Sequence, residues 1–147
     1  MRKAVAALTF SFSLALAGCA EQDNGARRSF DPTACHAGTF DIYFEPWHAE
    51  LSPEAKAIIK SAQRGLAGCK IDHVRIVGLA DAVGSAEENM KISQERANTI
   101  AAALAAGGWP RDKFEVLAHG DEKATTDSGL MKPMRRRARV TVEASNP

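Results

Sequence analysis

The sequence predicts an α+β fold, a two-layer sandwich built in the order β-α-β-α-β-β. Three observations carry this. Four short runs are rich in strand-forming residues and mostly alternate apolar with polar. Two longer stretches place apolar residues at helical spacing behind clear start signals. Both helices are amphipathic and need an apolar surface to cover, which a sheet provides. No internal repeat is present, and at 147 residues the chain is the length of one domain.

Strand one is expected over Thr39–Phe44, a Thr-Phe-Asp-Ile-Tyr-Phe run that Pro46 ends. Ser52-Pro53-Glu54-Ala55 opens the first helix, with Ser52 as N-cap and proline at the first helical position. Ala55, Ile58, Ile59, Ala62 and Leu66 form its apolar stripe, and Gly68 marks its end. Strand two is expected over Val74–Leu79. Ser85-Ala86-Glu87-Glu88 has the form of a capping box, and the second helix runs from there to about Ala106, before Gly107-Gly108. Phe114–Ala118 reads as strand three. A polar loop with one helical turn at most covers His119–Pro133, and Arg137–Ala144 alternates as strand four. Trp47 and Trp109 flank predicted turns, where core packing is the expected role and a partner-facing edge the other reading.

The N-terminus reads as an export signal. Arg2 and Lys3 precede an apolar stretch, Ala4–Ala17, which at 14 residues falls short of the roughly 20 needed to span a bilayer. It ends in Leu16-Ala17-Gly18-Cys19, which resembles the lipobox of bacterial lipoproteins. That resemblance implies cleavage after residue 18 and a lipid on Cys19. Several acyl chains together would hold such a protein firmly to a membrane. Ala20, rather than Asp, follows the cysteine, which by the same resemblance directs the protein to the outer membrane. Residues 19–38 are then a lipidated terminus and linker, and 39–147 the domain. From Ala20 to Pro32 the chain is polar and aperiodic, and this stretch reaches at most roughly 45 Å.

With Cys19 lipidated, Cys35 and Cys69 remain. In an exported protein such a pair is expected to form a disulfide, the alternative being two buried thiols. Without residues 1–18 the chain carries 17 basic against 18 acidic side chains, which argues against a nucleic-acid surface. No Gly-x-Ser-x-Gly, phosphate-binding loop or His-Glu-x-x-His occurs, and His36, His48, His73 and His119 are scattered without metal-ligand spacing. The sequence thus offers no catalyst, metal site or cofactor.

The informative stretch runs Gly78-Leu79-Ala80-Asp81-Ala82-Val83-Gly84-Ser85 and continues through Asn89, Ser93 and Arg96. Asp81 follows the end of strand two. Asn89, Ser93 and Arg96 share one helix face, which continues as apolar Ile100 and Leu104. A core-facing stripe that turns polar beside a carboxylate suggests a ligand site. The other reading is a structural Asp81–Arg96 ion pair.

These residues resemble the OmpA-like domains, whose pattern is Gly-His-Thr-Asp-x-x-Gly, then Asn-x-x-Leu-Ser-x-x-Arg-Ala, and later Asn-Arg-Arg-Val. The resemblance spans residues 39–144 and, with the lipobox, is of the peptidoglycan-associated lipoprotein type. It implies that Asp81 and Arg96 hold the diaminopimelate of the peptidoglycan stem peptide, with Asn89, Ser93 and, aligned on Val140, Arg139 as further ligand residues. Carboxylate and guanidinium suit the two charges of that zwitterion. Three departures stand out. Leu79-Ala80 replaces His-Thr, Ile92 replaces Leu, and Arg137-Ala138-Arg139-Val140 replaces Asn-Arg-Arg-Val. The run Lys132, Arg135, Arg136, Arg137 and Arg139 is unusually basic, and either meets stem carboxylates or lipid headgroups or is simply solvated. A second function reading follows from the departures: a docking subunit of an envelope assembly, of Tol or secretion type, with weak wall binding. A third, an enzyme acting on peptidoglycan, lacks a nucleophile–base pair.

Overall fold

The computed structural model describes residues 35–147. The expectations for residues 1–34, namely the signal, the Cys19 lipid and most of the linker, lie outside the described residues. The elements follow the predicted order: β1 (Gly38–Tyr43), α1 (Pro53–Gly65), β2 (Lys70–Gly78), α2 (Ala86–Ala106), β3 (Phe114–Ala118) and β4 (Arg137–Ser145). The strands form one sheet in the order β1-β4-β2-β3. β4 is antiparallel to β1 and β2, while β3 runs parallel to β2.

Local chemistry sets the helix starts. The Ser52 side chain accepts from Ala55 N–H at 3.1 Å, and Pro53 needs no donor in the first turn. At α2, Ser85 Oγ accepts from Glu88 N–H at 3.2 Å while Ser85 N–H donates to the Glu88 carboxylate at 3.0 Å, a reciprocal capping box. α1 stops at Gly65, three residues before Gly68, and β2 starts four residues earlier than its apolar run suggested. An irregularity between Ile71 and His73 lets the polar segment Lys70–His73 join the ladder.

Both helices cover one face of the sheet. Ile42, Val74, Ile76, Ala138, Val140 and Val142 point inward from the strands and meet Ala55, Ile59, Ala97, Ile100 and Leu104. The alternate strand residues lie on the open face, where Arg75 donates to Glu115 at 2.7 Å and Arg139 to Asp41 at 2.8 Å. Trp109 is buried in the core as expected, whereas Trp47 is half exposed (51 %).

α2 lies unusually close to β2 because Gly78 has no side chain. A Cβ there would stand 1.8 Å from the Ser93 carbonyl oxygen. Gly78→Ala therefore forces the helix off the strand beside the loop it positions. The expected loss is about 2–3 kcal/mol of unfolding free energy, read by urea denaturation. A loss below about 0.5 kcal/mol would show that the helix moves away freely.

The Cys35–Cys69 disulfide is present, with Cα atoms 5.7 Å apart, and bonds the chain just before β1 to the residue just before β2. It extends the folded unit to Cys35, four residues ahead of the expected boundary at 39.

Candidate functional site

β2 ends at Gly78, and the chain then turns along the N-terminal half of α2. Leu79 N–H donates to the Arg137 carbonyl at 2.9 Å and Ala80 N–H to the Gly120 carbonyl at 2.7 Å, which pins the turn between β4 and the loop after β3. Leu79 and Ala80, where the family pattern has His-Thr, are both buried. Asp81 comes next, at the mouth of a cleft of about 150 Å³. Its walls are Asp81, Val83, Asn89, Arg96, Arg136 and the Pro46-Trp47 corner, with Ala80 and Ile92 beneath.

Three of the expected residues meet here. Asn89 and Arg96 are each 1 % exposed and Asp81 8 %. Arg96 does not pair directly with Asp81. Its guanidinium donates to three backbone carbonyls: Nε to His48 at 2.9 Å, Nη1 to Leu79 at 3.0 Å and Nη2 to Glu45 at 3.1 Å. It also lies over the Phe44 ring, 5.3 Å from the centroid. Three of the fork's five N–H groups are thus committed, two to the β1–α1 segment and one to the turn after β2, and two remain uncommitted. Burial pushes the Arg96 guanidinium below its ordinary pKa. The Asp81 charge pulls it back, and that of Arg136 pushes it down again.

Asp81 is held by Arg136, which the sequence places in the basic run and not among the expected ligand residues. Arg136 Nη1 donates to Asp81 Oδ2 at 2.8 Å, and Val83 N–H to Oδ1 at 3.2 Å. The structural ion pair of the alternative reading therefore exists, but its cation is Arg136. Asn89 Nδ2 donates to Asp121 Oδ2 at 3.2 Å, which adds a second carboxylate behind the cleft.

Ser93 and Arg139 are not brought into the cleft. The Ser93 hydroxyl, fully buried, donates to the Met90 carbonyl at 2.8 Å and accepts from Gly120 N–H at 3.0 Å. Its group is saturated by backbone, and it positions the loop after β3. Arg139 is a correction with a simple cause. Strand alternation puts it on the open face, where Nε and Nη2 both donate to Asp41, at 2.8 and 3.0 Å. Shifting the Asn-Arg-Arg-Val alignment two residues back, to Arg135-Arg136-Arg137-Ala138, places Arg136 at the cleft. A two-residue shift preserves the inward and outward faces, so alternation does not separate the two alignments.

The Asp41 cluster has a pH signature. Hydrogen bonds from Arg139 hold the Asp41 carboxyl below its ordinary pKa of 3.8, against the opposing effect of burial, with the charges of Arg137 and Arg139 assisting. A depressed folded-state pKa stabilises above the unfolded value, and that contribution is lost as pH falls through the folded one. Asp41→Asn should therefore lower the melting temperature at pH 7 and lose that effect in strong acid, once pH has fallen through the lowered folded-state value. Equal differences at both pH values would show that the substitution acts through packing instead.

Trp47 was expected in the core, but it forms a wall of the cleft. Its backbone is in the left-handed region (φ 61°), and its indole packs over Gly84, where an added Cβ would meet the ring at 2.3 Å. Gly84 (φ 93°) thus provides both the turn before Ser85 and the platform for the indole. Among the described residues no group of histidines, cysteines and carboxylates has the arrangement of a metal site. Nor is any helix among them long and apolar enough to cross a membrane.

The fold and cleft define a small α+β domain that presents a carboxylate and two guanidiniums at the C-terminal end of its second strand. Residues 43–139 match the family described as the OmpA family, and the chain belongs to that family. It is 28 % identical over 133 residues to the outer-membrane lipoprotein YfiB of Pseudomonas aeruginosa, covering 81 % of this chain and 79 % of that protein. Among solved structures, the OmpA-like domain of FopA1 from Francisella tularensis superposes with a TM-score of 0.61 at 19 % identity, covering 75 % of this chain and 77 % of that one. The peptidoglycan-associated lipoprotein of Burkholderia pseudomallei superposes with a TM-score of 0.56 at 20 % identity, covering 80 % of this chain and 98 % of that one. At these identities the two structures speak for the fold.

Proposed function

We propose that this chain is an outer-membrane lipoprotein that holds the diaminopimelate stem peptide of peptidoglycan without covalent chemistry and so tethers the membrane to the wall. In this reading residues 1–18 are removed, Cys19 carries the lipid, residues 19–38 form the leash and residues 39–147 the wall-binding domain. The observation that carries it is the convergence of Asp81, Arg96, Arg136 and Asn89 on one cleft. Diaminopimelate ends in an ammonium and a carboxylate. Asp81 takes the ammonium, and the uncommitted N–H groups of Arg96, with Arg136, take the carboxylate. Lysine at that stem position lacks the carboxylate, so the cleft discriminates against it.

Placement supports the same reading. By register, Gly38 faces Val142 while Tyr43 faces Arg137, so Cys35 and the cleft lie at opposite ends of the sheet. A leash that enters at Cys35 leaves the cleft end pointing away from its anchor.

Two observations favour the docking subunit. Asp81 is already neutralised by Arg136, and the buried Leu79-Ala80 provides no hydroxyl or imidazole to a ligand. Calorimetry on the detergent-solubilised protein separates the two readings. Saturable binding of a diaminopimelate muropeptide is expected, at least about tenfold weaker for the lysine type and abolished in Asp81→Asn. No binding by the folded wild type would leave the docking role, with a Tol-type periplasmic protein as the partner class.

A further inference from the structure

The loop between β3 and β4 borders an open surface groove that the cleft does not use. Lys132 N–H donates to the Ala124 carbonyl at 2.7 Å and Thr126 N–H to the Leu130 carbonyl at 2.8 Å, folding residues 124–132 back on themselves. Lys123, at the base of this fold, is held in the left-handed region (φ 57°). A single 3₁₀ turn, Pro133–Arg135, then leads toward β4. The groove, of about 520 Å³, lies between them and is lined by Lys123, Lys132, Pro133, Met134, Arg135 and Arg137.

Four of those six residues are cations, and none is a carboxylate. Arg137 has a carboxylate neighbour, Asp41, at 3.5 Å. The Lys132 ammonium points to the Lys123 carbonyl, 3.4 Å away. The Nε of Arg135 is buried without an acceptor, while that of Arg137 faces Asp41 Oδ2 in an ion pair without a hydrogen bond. Burial first, and then the charge of Arg137, push the Arg135 guanidinium below its ordinary pKa despite the pull of Glu122 and Asp121. Four converging cations, one with a buried Nε that lacks an acceptor, suit an oxyanion, because hydrogen bonds from charged donors to an anion are the strong ones.

This groove adjoins the cleft along the chain, though the two have no lining residue in common. Arg136 lines the cleft, while its two neighbours, Arg135 and Arg137, line the groove. We propose that the groove is a second subsite, which takes a free carboxylate of the same stem peptide whose diaminopimelate occupies the cleft. The inference rests on the cleft reading above. A stem peptide carries several carboxylates along one short chain, so a single ligand reaches both places. A lipid phosphate has matching charge, and the exposed Leu130, Met131 and Met134 nearby would suit a lipid surface. The groove, however, sits where β4 begins, at the end of the sheet remote from Cys35 and hence from the leash.

The test compares the full-length protein in detergent with a Lys123→Gln, Lys132→Gln, Arg135→Gln variant, none of whose changes touches the cleft. The probes are free diaminopimelate, a muropeptide with free stem carboxylates, the same muropeptide amidated at every stem carboxylate except that of the free end of diaminopimelate, and glycerophosphoglycerol as a soluble lipid headgroup. The wild type should bind the free-acid muropeptide about tenfold tighter than the amidated one. The variant should lose that difference while its affinity for diaminopimelate stays unchanged. The proposal is overturned if the difference persists in the variant, or is absent from a wild type that binds diaminopimelate. Headgroup binding that depends on the three residues, without an amidation effect, assigns the groove to lipid and overturns the proposal as well. A wild type that binds neither diaminopimelate nor muropeptide sinks the cleft reading itself, and the shared-ligand proposal with it.

Discussion

Replacing Arg96 with methionine should lower the unfolding free energy by roughly 3–5 kcal/mol, an effect well beyond that of removing an ordinary ligand contact. The side chain is 1 % exposed and donates to the carbonyls of Glu45, His48 and Leu79. Two of these lie in the segment after β1 and one just after β2, so a single guanidinium joins stretches that share no ladder. Without it, the buried Leu79 carbonyl and the part-buried carbonyls of Glu45 and His48 lose their donor, at about 1–3 kcal/mol for a buried group before relaxation and less for the other two. The stacking on Phe44 is lost too, while the relief of a buried charge offsets part of the total. Arg96→Lys keeps the charge but not the fork, so it should recover less than half of the loss. Urea denaturation monitored by circular dichroism decides this, and a change under about 1 kcal/mol for methionine would mean the Glu45–His48 corner is held by other contacts. The role has a practical consequence. Loss of ligand binding in an Arg96 variant does not by itself locate the site, because the variant also loosens the Trp47 wall. Asp81→Asn is the cleaner probe, since its partners are one half-exposed arginine and one loop N–H.

This double role also shows how far the sequence is legible. The element order, the capping box at Ser85 and the polar turn of the α2 stripe follow from spacing and cap chemistry, which are local. Asp81, Asn89 and Arg96 are found the same way, because a buried polar stripe on a helix shows as a break in apolar periodicity. Arg136 was missed because it lies in a run of arginines, where strand alternation accepts either of two registers. Selecting between them needs the pairing of β4 with β2, which brings Ala138 opposite Gly78. Trp47 was misread because its role depends on a left-handed backbone and on a glycine 37 positions away, Gly84, neither of which leaves a local mark. Ser93 was read as a ligand because its helix face is right. Its hydroxyl is instead consumed by Gly120, from a loop whose path no periodicity describes.

Breaking the Cys35–Cys69 bond should produce the other large effect. The bond closes a loop over a sequence separation of 34, which the chain-entropy treatment values at about 4 kcal/mol. A Cys35→Ala, Cys69→Ala variant should lower the unfolding free energy from urea denaturation by that order, and a reductant should lower only that of the wild type. Topology adds a mechanical consequence if the leash bears tension. β1 is an edge strand attached only to β4, and a pull from its N-terminal side would open the ladder from the Gly38–Val142 pair onward. The disulfide intercepts that pull three residues earlier and passes it to Cys69, adjacent to Lys70 at the start of β2. β2 is paired on both sides and leads directly to Asp81 at the cleft. Load between anchor and wall then runs along one central strand, where many hydrogen bonds must shear together instead of parting one by one. In single-molecule pulling between the N-terminus and a handle at exposed Val83, the oxidised protein should yield at a distinctly higher force than the reduced one, with β1 released first only after reduction. Equal forces in the two states would mean that the pull does not pass through Cys69, and that the bond contributes to stability alone.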